Sequence, residues 1–368
     1  MVTKKVIPID LDSVPEIDQL LVNLGVGTMV RETVSSPIGR NDAWTGVTTA
    51  GRKVFVKRLK GQHEETGRRM RRMLDFERYA ADSKFDETWL PQLVGSDESN
   101  RIVVFERIDD AVNGATLMVD ETFSLEHARQ VGAAIGRLHA TKPSAELELD
   151  ATTPAFPPVH FLEGLPLSIF HGSSAGEIEA WRLLQNDPEL IAAVKRLREA
   201  EETAPRVPSH CDLRVDQFLI GEDGLFITDW EEFRLADPAR DVGAFAGEWI
   251  FRSVLDLVTN RGDEAFVDTE FTHELVLQRG VEKMRRLLPL VGAFWEAYRE
   301  VRPDLDDDPG LAVRATAFAG WHLLDRLIAG ALSSARLSAI QRAAAGVGRA
   351  ALVNPEKFAI TLGFGGTR

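Results

Sequence analysis

Alternating apolar and polar positions predict that the first hundred or so residues are rich in β-strand. In Lys53–Leu59, β-branched and aromatic side chains alternate with basic ones after a turn at Gly51, which predicts a strand. Arg101–Ile108 has the same character and predicts another strand. Between them, residues 66–81 carry apolar side chains on one helical stripe, which is typical of an amphipathic helix. The pattern therefore indicates a small β-rich unit with one long helix.

Beyond Asp109 the apolar positions recur with the period of α-helices. Ser124 is placed to cap a helix that runs through His139 with its apolar residues on one face. Further helical patterning covers residues 176–201, 273–299, 312–332 and 337–352. The chain is therefore predicted to be an α+β protein with two lobes, a β-rich N-lobe over residues 1–108 and a larger, mainly helical C-lobe over residues 109–368.

One short β-rich segment interrupts the helical region. Gln217–Ile220 and Leu225–Thr228 are apolar runs around an Asp-Gly turn, which predicts a β-hairpin. Since a hairpin returns the chain beside its start, it carries Asp212 and Asp229 towards the same end. These two carboxylates and the amide of Gln217 are the hard oxygen ligands that suit Mg²⁺ on a nucleotide phosphate. Aspartates also flank hairpins as structural caps, so the two carboxylates alone leave both interpretations open.

The motifs around these carboxylates resemble the protein-kinase-like superfamily. His210-x-Asp212 is followed by Gln217, the predicted hairpin, and then Asp-Trp-Glu at residues 229–231. This order is most similar to the aminoglycoside-phosphotransferase branch, in which the second motif reads Asp-Trp-Glu and not Asp-Phe-Gly. The sequence DPARD at residues 237–241 resembles that branch as well, where these residues brace the helical lobe. The resemblance implies a bilobal protein-kinase-like fold and phosphoryl transfer from ATP to a hydroxyl group with Mg²⁺.

The resemblance also implies a role for each residue of these motifs. Asp212 matches the catalytic base that orients the acceptor hydroxyl, and Arg214 stands where protein kinases carry a lysine that faces the γ-phosphate. Asp229 matches the main magnesium ligand, and Gln217 replaces the usual asparagine as the second metal ligand. His210 matches a structural histidine that ties the loop by hydrogen bonds.

A cation for the phosphates is expected from the β-rich lobe. Lys57 lies among valine and phenylalanine in a strand that resembles the third strand of kinases. Glu77 shares the apolar stripe of the helix at 66–81, and a carboxylate on a buried stripe needs a partner. We therefore expect a Lys57–Glu77 ion pair that holds the lysine against the α- and β-phosphates. The other interpretation is an exposed strand lysine, like its basic neighbours.

Further nucleotide contacts are predicted from position. The segment Pro37–Gly46 precedes the lysine strand and has two glycines, but it lacks the GxGxxG of protein kinases. Arg40 and Asn41 in this segment are candidate ligands of phosphate or acceptor. Glu106 and Ile108 lie where the resemblance implies a hinge whose backbone binds adenine. A P-loop ATPase is not supported, because no GxxxxGK[ST] occurs.

The acceptor is less well determined than the donor. Three motifs are similar to the stand-alone kinase subunits of class V lanthipeptide and thioamitide biosynthesis: GRNDAWTG, VFVKRLK and HCDLRVDQFL. Those subunits phosphorylate Ser/Thr of a ribosomal precursor peptide before a separate lyase eliminates the phosphate. This similarity favours a peptide acceptor and implies a lyase or cyclase partner. The alternative is a small metabolite or cationic antibiotic held by Glu231, Glu232 and the turn Asp306-Asp307-Asp308. The replacement at Gln217 and the missing glycine-rich loop also fit a pseudokinase scaffold.

Composition and charge narrow the possible partners. The net charge is −14, and such a surface repels nucleic acids and anionic membranes. The single cysteine, Cys211, excludes a disulfide framework and is expected to be a small buried filler in a reducing cytoplasm. No signal peptide and no apolar run of about 18 residues is visible, so no membrane span is expected.

Overall fold

The chain forms two compact units, each assembled from several segments. The computed structural model describes residues 9–37, 39–83, 89–222, 224–258, 273–302 and 304–365. The first unit comprises Met1–Gly114, Pro143–Asp150 and Asp216–Phe233, and the second comprises Ala115–Lys142, Ala151–Val215 and Arg234–Arg368. The boundary after residue 108 stays a prediction, and the units differ from it because 143–150 and 216–233 pack within the first unit.

Strands are concentrated in the first unit and helices in the second, as the α+β prediction required. The strands are β1 (Asp42–Val47), β2 (Lys53–Arg58), β3 (Leu93–Asp97), β4 (Ile102–Glu106), β5 (Val112–Asn113), β6 (Val207–Ser209), β7 (Phe218–Gly221), β8 (Gly224–Ile227) and β9 (Arg234–Ala236). The helices are α1 (Pro15–Asn23), α2 (His63–Ser83), α3 (Gly114–Val119), α4 (Leu125–Ala140), α5 (Val159–Glu163), α6 (Leu167–Gly172), α7 (Ala175–Gln185), α8 (Pro188–Thr203), α9 (Ala239–Leu255), α10 (His273–Glu300), α11 (Leu311–Ala331), α12 (Ala339–Val353) and α13 (Pro355–Thr361).

The main sheet of the first unit has four antiparallel strands in the order β1-β2-β4-β3. Val54 and Val56 of β2 are fully buried on one face, which α1 covers with Ile17 and Leu21. Because side chains alternate along a strand, Lys57 projects from the opposite face. The predicted strands at 53–59 and 101–108 are thus confirmed as β2 and β4.

Helix α2 covers the face of the sheet from which Lys57 projects. Met70 and Met73 pack against Leu59 and Val103, which confirms the predicted apolar stripe. A second side of α2 contacts the 3₁₀ turn Trp230–Glu232, which also belongs to the first unit. There the ring of Phe76 stacks on that of Trp230 with centroids 3.7 Å apart and planes 5° from parallel. Helix α2 therefore joins the sheet to the turn that follows Asp229.

The predicted hairpin is confirmed as β7 and β8. Phe218 pairs with Ile227 and Gly221 with Gly224, where the backbone turns with a φ of 117° at Gly224. Strand β5 adds to the other side of β7, so the first unit contains this three-stranded sheet in addition to the four-stranded one.

Helices dominate the second unit. Its most extensive packing joins α4 to α10, α9 to α11, and α11 to α12. Ser124 caps α4 as predicted, since its hydroxyl accepts a hydrogen bond from His127 N–H at 3.1 Å. The predicted helix over 176–201 is instead two helices, because Pro188 begins α8 and Asp187 caps it. Helices α11 and α12 approach closely at Gly320, where a Cβ would lie 2.6 Å from the carbonyl oxygen of Gly348.

Strands β6 and β9 form a short antiparallel pair within the helical unit, with Ser209 opposite Arg234. The segment after β6 carries Asp212, and the segment after β9 leads into α9. Among the described helices, none combines the length and the apolar character that crossing a membrane would require.

Candidate active site

The hairpin of the first unit brings Gln217 and Asp229 to the same end. Both the N–H and the hydroxyl of Thr228 donate to the carbonyl oxygen of Gln217, at 3.0 and 2.9 Å. Asp229 follows directly with a φ of 69°, in the left-handed region that few non-glycine residues adopt. Asp212 belongs to the second unit, so its predicted approach to Asp229 remains a prediction.

Lys57 is bound by two carboxylates of the segment after the hairpin. Its ammonium group donates a short hydrogen bond to Asp229 and a second one of 2.8 Å to Glu231. The side chain of Lys57 is only 11% exposed. Burial by itself lowers the pKa of this amine, but the charges of Asp229 and Glu231 outweigh burial, so the pKa is raised. Lys57 is therefore a cation at neutral pH, and it is not the exposed strand lysine of the alternative interpretation.

The predicted Lys57–Glu77 ion pair is wrong. Glu77 lies on the stripe of α2 with Met70 and Met73 as expected, but Lys57 binds other carboxylates. Among the described residues, no side chain or backbone group donates to the Glu77 carboxylate. Burial raises the pKa of Glu77 from 4.5 to about 7. The stripe was predicted correctly and the ionic partner was not, because the partner comes from a distant part of the chain.

Glu231 is buried and takes the place that was expected for Glu77. Its side chain is 6% exposed, and it accepts a 2.5 Å hydrogen bond from Arg69, which is itself 1% exposed. The amide of Asn41 donates to the same carboxylate at 3.1 Å. The amide oxygen of Asn41 accepts hydrogen bonds from Arg69 at 3.0 Å and from the N–H of Lys60 at 3.1 Å. The side chain of Asn41 is thus engaged within the first unit at both ends.

Two other predicted ligands also have protein partners. Arg40 forms an exposed ion pair with Glu65 at 2.5 Å, at the start of α2. Glu232, predicted to hold a cationic acceptor, accepts a hydrogen bond from Arg72 at 3.0 Å. Glu231 and Glu232 therefore belong to the first unit and pair with cations of α2. The small-molecule hypothesis had instead placed them on an acidic surface of the helical lobe.

The predicted hinge follows β4. Glu106 accepts two hydrogen bonds from Arg52, at 3.0 and 2.5 Å, and its N–H donates to Gln92 O at 2.8 Å. The N–H of Arg107 donates to Lys53 O at 3.1 Å. Among the described residues, nothing forms a hydrogen bond with the N–H or C=O of Ile108. The last residue of the predicted hinge thus has backbone groups available to a ligand.

In the second unit, a buried carboxylate holds the loop that carries Asp212. Asp241 of α9 accepts hydrogen bonds from the N–H groups of His210 and Cys211, at 2.7 and 2.8 Å. Cys211 has a φ of 65°, which turns the chain so that both N–H groups face Asp241. Cys211 is half-buried and not the buried filler that was expected, while Asp212 and Arg214 beyond it are half-buried as well.

A chain of buried polar groups fixes Asp241 from behind. His139, packed in the core, donates from Nε2 to Asp241 at 3.0 Å and accepts from the hydroxyl of Tyr298 at 2.9 Å. Burial lowers the pKa of His139 below its usual range in spite of Asp241, so the ring is neutral. Burial would raise the pKa of Asp241, but the hydrogen bonds from His139 and from the N–H of His210 outweigh it and the pKa is lowered. Asp241 is therefore ionised and able to bind both loop N–H groups.

The remaining aspartate of the 237–241 motif also braces the helical unit. Asp237 accepts two hydrogen bonds from Arg314 of α11, at 2.7 and 3.0 Å. Arg314 binds Asp308 at 2.9 and 2.7 Å in addition. Asp308, which the small-molecule hypothesis placed in an acceptor-binding turn, is therefore buried in an internal ion pair.

The oxygen donors of Asp229 and Gln217 suit a metal ion whose other ligands are waters and nucleotide phosphates. Asp229 is 26% exposed, and the carbonyl contacts of Thr228 hold Gln217 beside it. Within the described residues, no group of three His, Cys, Asp or Glu side chains could enclose a metal ion. Mg²⁺ keeps several waters and binds through one or two carboxylates plus substrate phosphates. The oxygen donors of Asp229 and Gln217 therefore fit Mg²⁺ that is bound together with nucleotide phosphates.

Sequence reasoning missed the cations of α2 that organise this region. Arg69 and Arg72 lie three residues apart on the helix and are almost fully buried. A signal was present, since they alternate with Met70 and Met73 of the apolar stripe. Arginine at the edge of a buried stripe is favoured only where a carboxylate is nearby.

The fold is similar to that of kinases among the solved structures. A structure of a choline/ethanolamine kinase family protein from Mesorhizobium loti is similar, with a TM-score of 0.51 and 16% identity over 90% of this chain and 92% of that one. The amicoumacin kinase hAmiN, solved with AMP-PNP, Ca²⁺ and Ami, has a TM-score of 0.51 and 12% identity over 94% and 96%. At these identities the likeness shows the fold alone, which confirms the predicted protein-kinase-like architecture.

The family is shown by the sequence itself. The model of the phosphotransferase enzyme family APH matches residues 40–287, more than half of the 368 residues. The chain therefore belongs to the phosphotransferase enzyme family, and it is an enzyme that transfers phosphoryl groups. No curated protein matches the chain.

Proposed function

We propose that this enzyme transfers the γ-phosphoryl group of ATP to a hydroxyl group with Mg²⁺. The observation that carries this proposal is the buried ammonium of Lys57 against Asp229, beside Gln217 at the end of the hairpin. A lysine and a magnesium-binding aspartate around one triphosphate are the parts that phosphoryl transfer requires. Positioning and neutralisation of charge account for most of the catalysis in such reactions.

Each residue then has a defined task. Asp229 and Gln217 would hold Mg²⁺, which when bound neutralises charge on the transferred phosphoryl group. Lys57 would bind the α- and β-phosphates. Asp212 would accept the proton of the acceptor hydroxyl. The hydroxyl oxygen then forms the new bond to phosphorus, and ADP leaves. Arg214 would bind the γ-phosphate oxygens.

Adenine recognition is assigned to the segment after β4. The backbone groups of Ile108 face no hydrogen-bond partner among the described residues, and a purine edge offers one donor and one acceptor. Glu106 is proposed to position this segment through its two hydrogen bonds to Arg52.

For the acceptor, we favour serine or threonine of a ribosomal precursor peptide. The support is the similarity of three motifs to the kinase subunits of lanthipeptide and thioamitide synthetases: GRNDAWTG, VFVKRLK and HCDLRVDQFL. Phosphate added to such a residue is a leaving group that a partner lyase or cyclase would eliminate. The second candidate is a small cationic alcohol, which the net charge of −14 favours.

Release of ADP from ATP and Mg²⁺ tests the reaction. Wild type is expected to form ADP in the presence of an acceptor, and Asp229→Ala to lose activity by about a hundredfold to a thousandfold, as for removal of a key electrostatic group. Equal ADP formation by both proteins would exclude the proposed chemistry.

For the acceptor, mass spectrometry of a Ser/Thr-rich precursor peptide should show added phosphate. An unmodified peptide together with turnover of a cationic alcohol would replace the peptide by the second candidate.

A further inference from the structure

Lys57 needs an anchor that persists when Asp229 serves another ligand. If Asp229 binds Mg²⁺, as the proposed function requires, its carboxylate would be shared with the ion. Glu231 then remains as the carboxylate that contacts the ammonium group, at 2.8 Å. Its 6% exposure makes this hydrogen bond nearly inaccessible to water.

Glu231 is in turn held by a cation that never contacts Lys57 itself. Arg69 binds the second carboxylate oxygen of Glu231 at 2.5 Å. The same guanidinium donates to Lys60 O at 3.1 Å, just beyond β2, and to the amide oxygen of Asn41 at 3.0 Å. Arg69 therefore ties together the lysine strand, the loop before β1 and the turn after Asp229. A buried carboxylate between two cations is the arrangement that offsets the desolvation of all three charges.

The other contacts of α2 point in the same direction. Arg72 binds Glu232 at 3.0 Å and Asp150 at 2.8 Å, and the ring of Phe76 stacks on Trp230. Arg69, Arg72 and Phe76 lie on one side of the helix, at spacings of three and four residues. Three successive turns of α2 thus contact the three residues that follow Asp229.

We propose that Arg69 is the positioning residue of Lys57 and acts through Glu231. The carboxylate that orients the phosphate-binding lysine comes from the Asp-Trp-Glu motif, and α2 contributes a cation where a carboxylate was expected. Helix α2 is thereby coupled to the metal-binding segment and to Lys57 by one ionic chain, Lys57–Glu231–Arg69. This inference rests on the proposed function.

Equilibrium binding of Mg²⁺–AMP-PNP, measured by calorimetry, tests the ionic chain Lys57–Glu231–Arg69. Arg69→Gln and Glu231→Gln are each expected to weaken binding about tenfold or more, the effect of losing a hydrogen bond to a charged group. Arg68→Gln is the matched control, since Arg68 is the neighbouring arginine on α2, 47% exposed and paired with Glu64. It should change affinity by less than about twofold, as for exposed ion pairs.

A double-mutant cycle separates positioning from a general structural role. In a Lys57→Met background, Arg69→Gln should have no further effect on nucleotide affinity, because its effect passes through the amine. Thermal melts of the same proteins record stability independently. If Arg69→Gln does not fold, Arg69→Lys is the replacement variant. It keeps the positive charge but loses the planar guanidinium donors, and it should retain part of the nucleotide affinity.

The outcomes are distinguishable. If wild type binds the nucleotide and Arg69→Gln binds it with the same affinity, the positioning role is overturned and the kinase function stays intact. Additive losses of affinity in the double-mutant cycle would have the same meaning. A larger loss in Glu77→Gln than in Glu231→Gln would return the anchor to the helix carboxylate. Failure of wild type to bind the nucleotide would remove the proposed function and this inference together.

Discussion

Glu77 is a partly buried carboxylate on α2 that has no hydrogen-bond or ionic partner among the described residues. Its pKa is raised from 4.5 to about 7 by burial. The folded protein therefore binds this proton more tightly than the unfolded chain. The associated stability is fully present below about pH 4.5 and is lost as the pH rises through about 7.

Glu77→Gln should therefore stabilise the protein at alkaline pH. The glutamine keeps the shape and removes the buried charge, so we expect a gain of up to about 3 kcal/mol at pH 8 and almost none at pH 4. Denaturant unfolding at the two pH values measures the difference. Glu64→Gln, on the same helix with an 84% exposed side chain, is the control and should be neutral at both. Destabilisation by Glu77→Gln at pH 8 would indicate a cationic partner and contradict the structure.

At this scale, the residue types of the candidate site were predictable and their partners were not. Lys57 and Asp229 were recognisable because local motifs surround them, and the structure joins them directly. Glu231 and Arg69 are 162 residues apart in the sequence, and their ion pair leaves no local periodic signal. A pairing of this kind depends on which surfaces the fold brings together.

Among the elements, α11 and α12 show how close packing depends on glycine. A Cβ at Gly320 would lie 2.6 Å from Gly348 O and 2.9 Å from Leu352 N, and neither backbone atom can move away easily. Gly346 on α12 is exposed, and a Cβ there would meet nothing within 4 Å.

The two glycines should respond to alanine in opposite directions. Gly320→Ala is expected to destabilise the protein by about 1–3 kcal/mol through overpacking. Gly346→Ala should be neutral or stabilising by up to about 1 kcal/mol, because alanine favours helix more than glycine. Thermal or urea unfolding of the two variants provides the comparison. Equal effects would mean that the helices do not approach at Gly320 as described.

Elements with a strong period were predicted well and their interruptions less so. Helix α2 and the β7–β8 hairpin follow from apolar spacing and an Asp-Gly turn, both of which are local signals. The apolar spacing predicts one helix over 176–201, whereas the structure has a break between α7 and α8 that Pro188 marks. Strand β3 was not predicted at all, because Leu93–Asp97 is only partly buried and alternates weakly.

Over the whole molecule, the first unit is not a continuous piece of chain. Residues 143–150 and 216–233 pack within it, and they supply the Trp230 ring that stacks on Phe76 and the carboxylates that bind Lys57 and Arg69. Cutting after residue 108 would remove the carboxylates that pair with three buried cations of this unit: Lys57, Arg69 and Arg72.

A fragment of residues 1–108 should therefore fail to fold cooperatively. Breaking a buried ion pair by removing one partner costs about 3–5 kcal/mol, which is a large part of the stability of a small domain. Circular dichroism during a thermal melt, with the full chain as the reference, tests this expectation. A sharp transition in the fragment would mean that the strands and α2 are sufficient by themselves.

The amino-acid sequence alone determined the local elements and the family: an α+β chain, a hairpin that begins at Gln217 and ends at Asp229, a strand that carries Lys57, and membership of a phosphotransferase family. Only the tertiary structure decided that Lys57 pairs with Asp229 and Glu231, and that Glu77 has no partner among the residues the structure describes. The physical reason is the separation along the chain over which each interaction acts. Periodicity, caps and turns act within a few residues, whereas a buried charge pairs with whatever opposite charge the fold brings within about 3 Å.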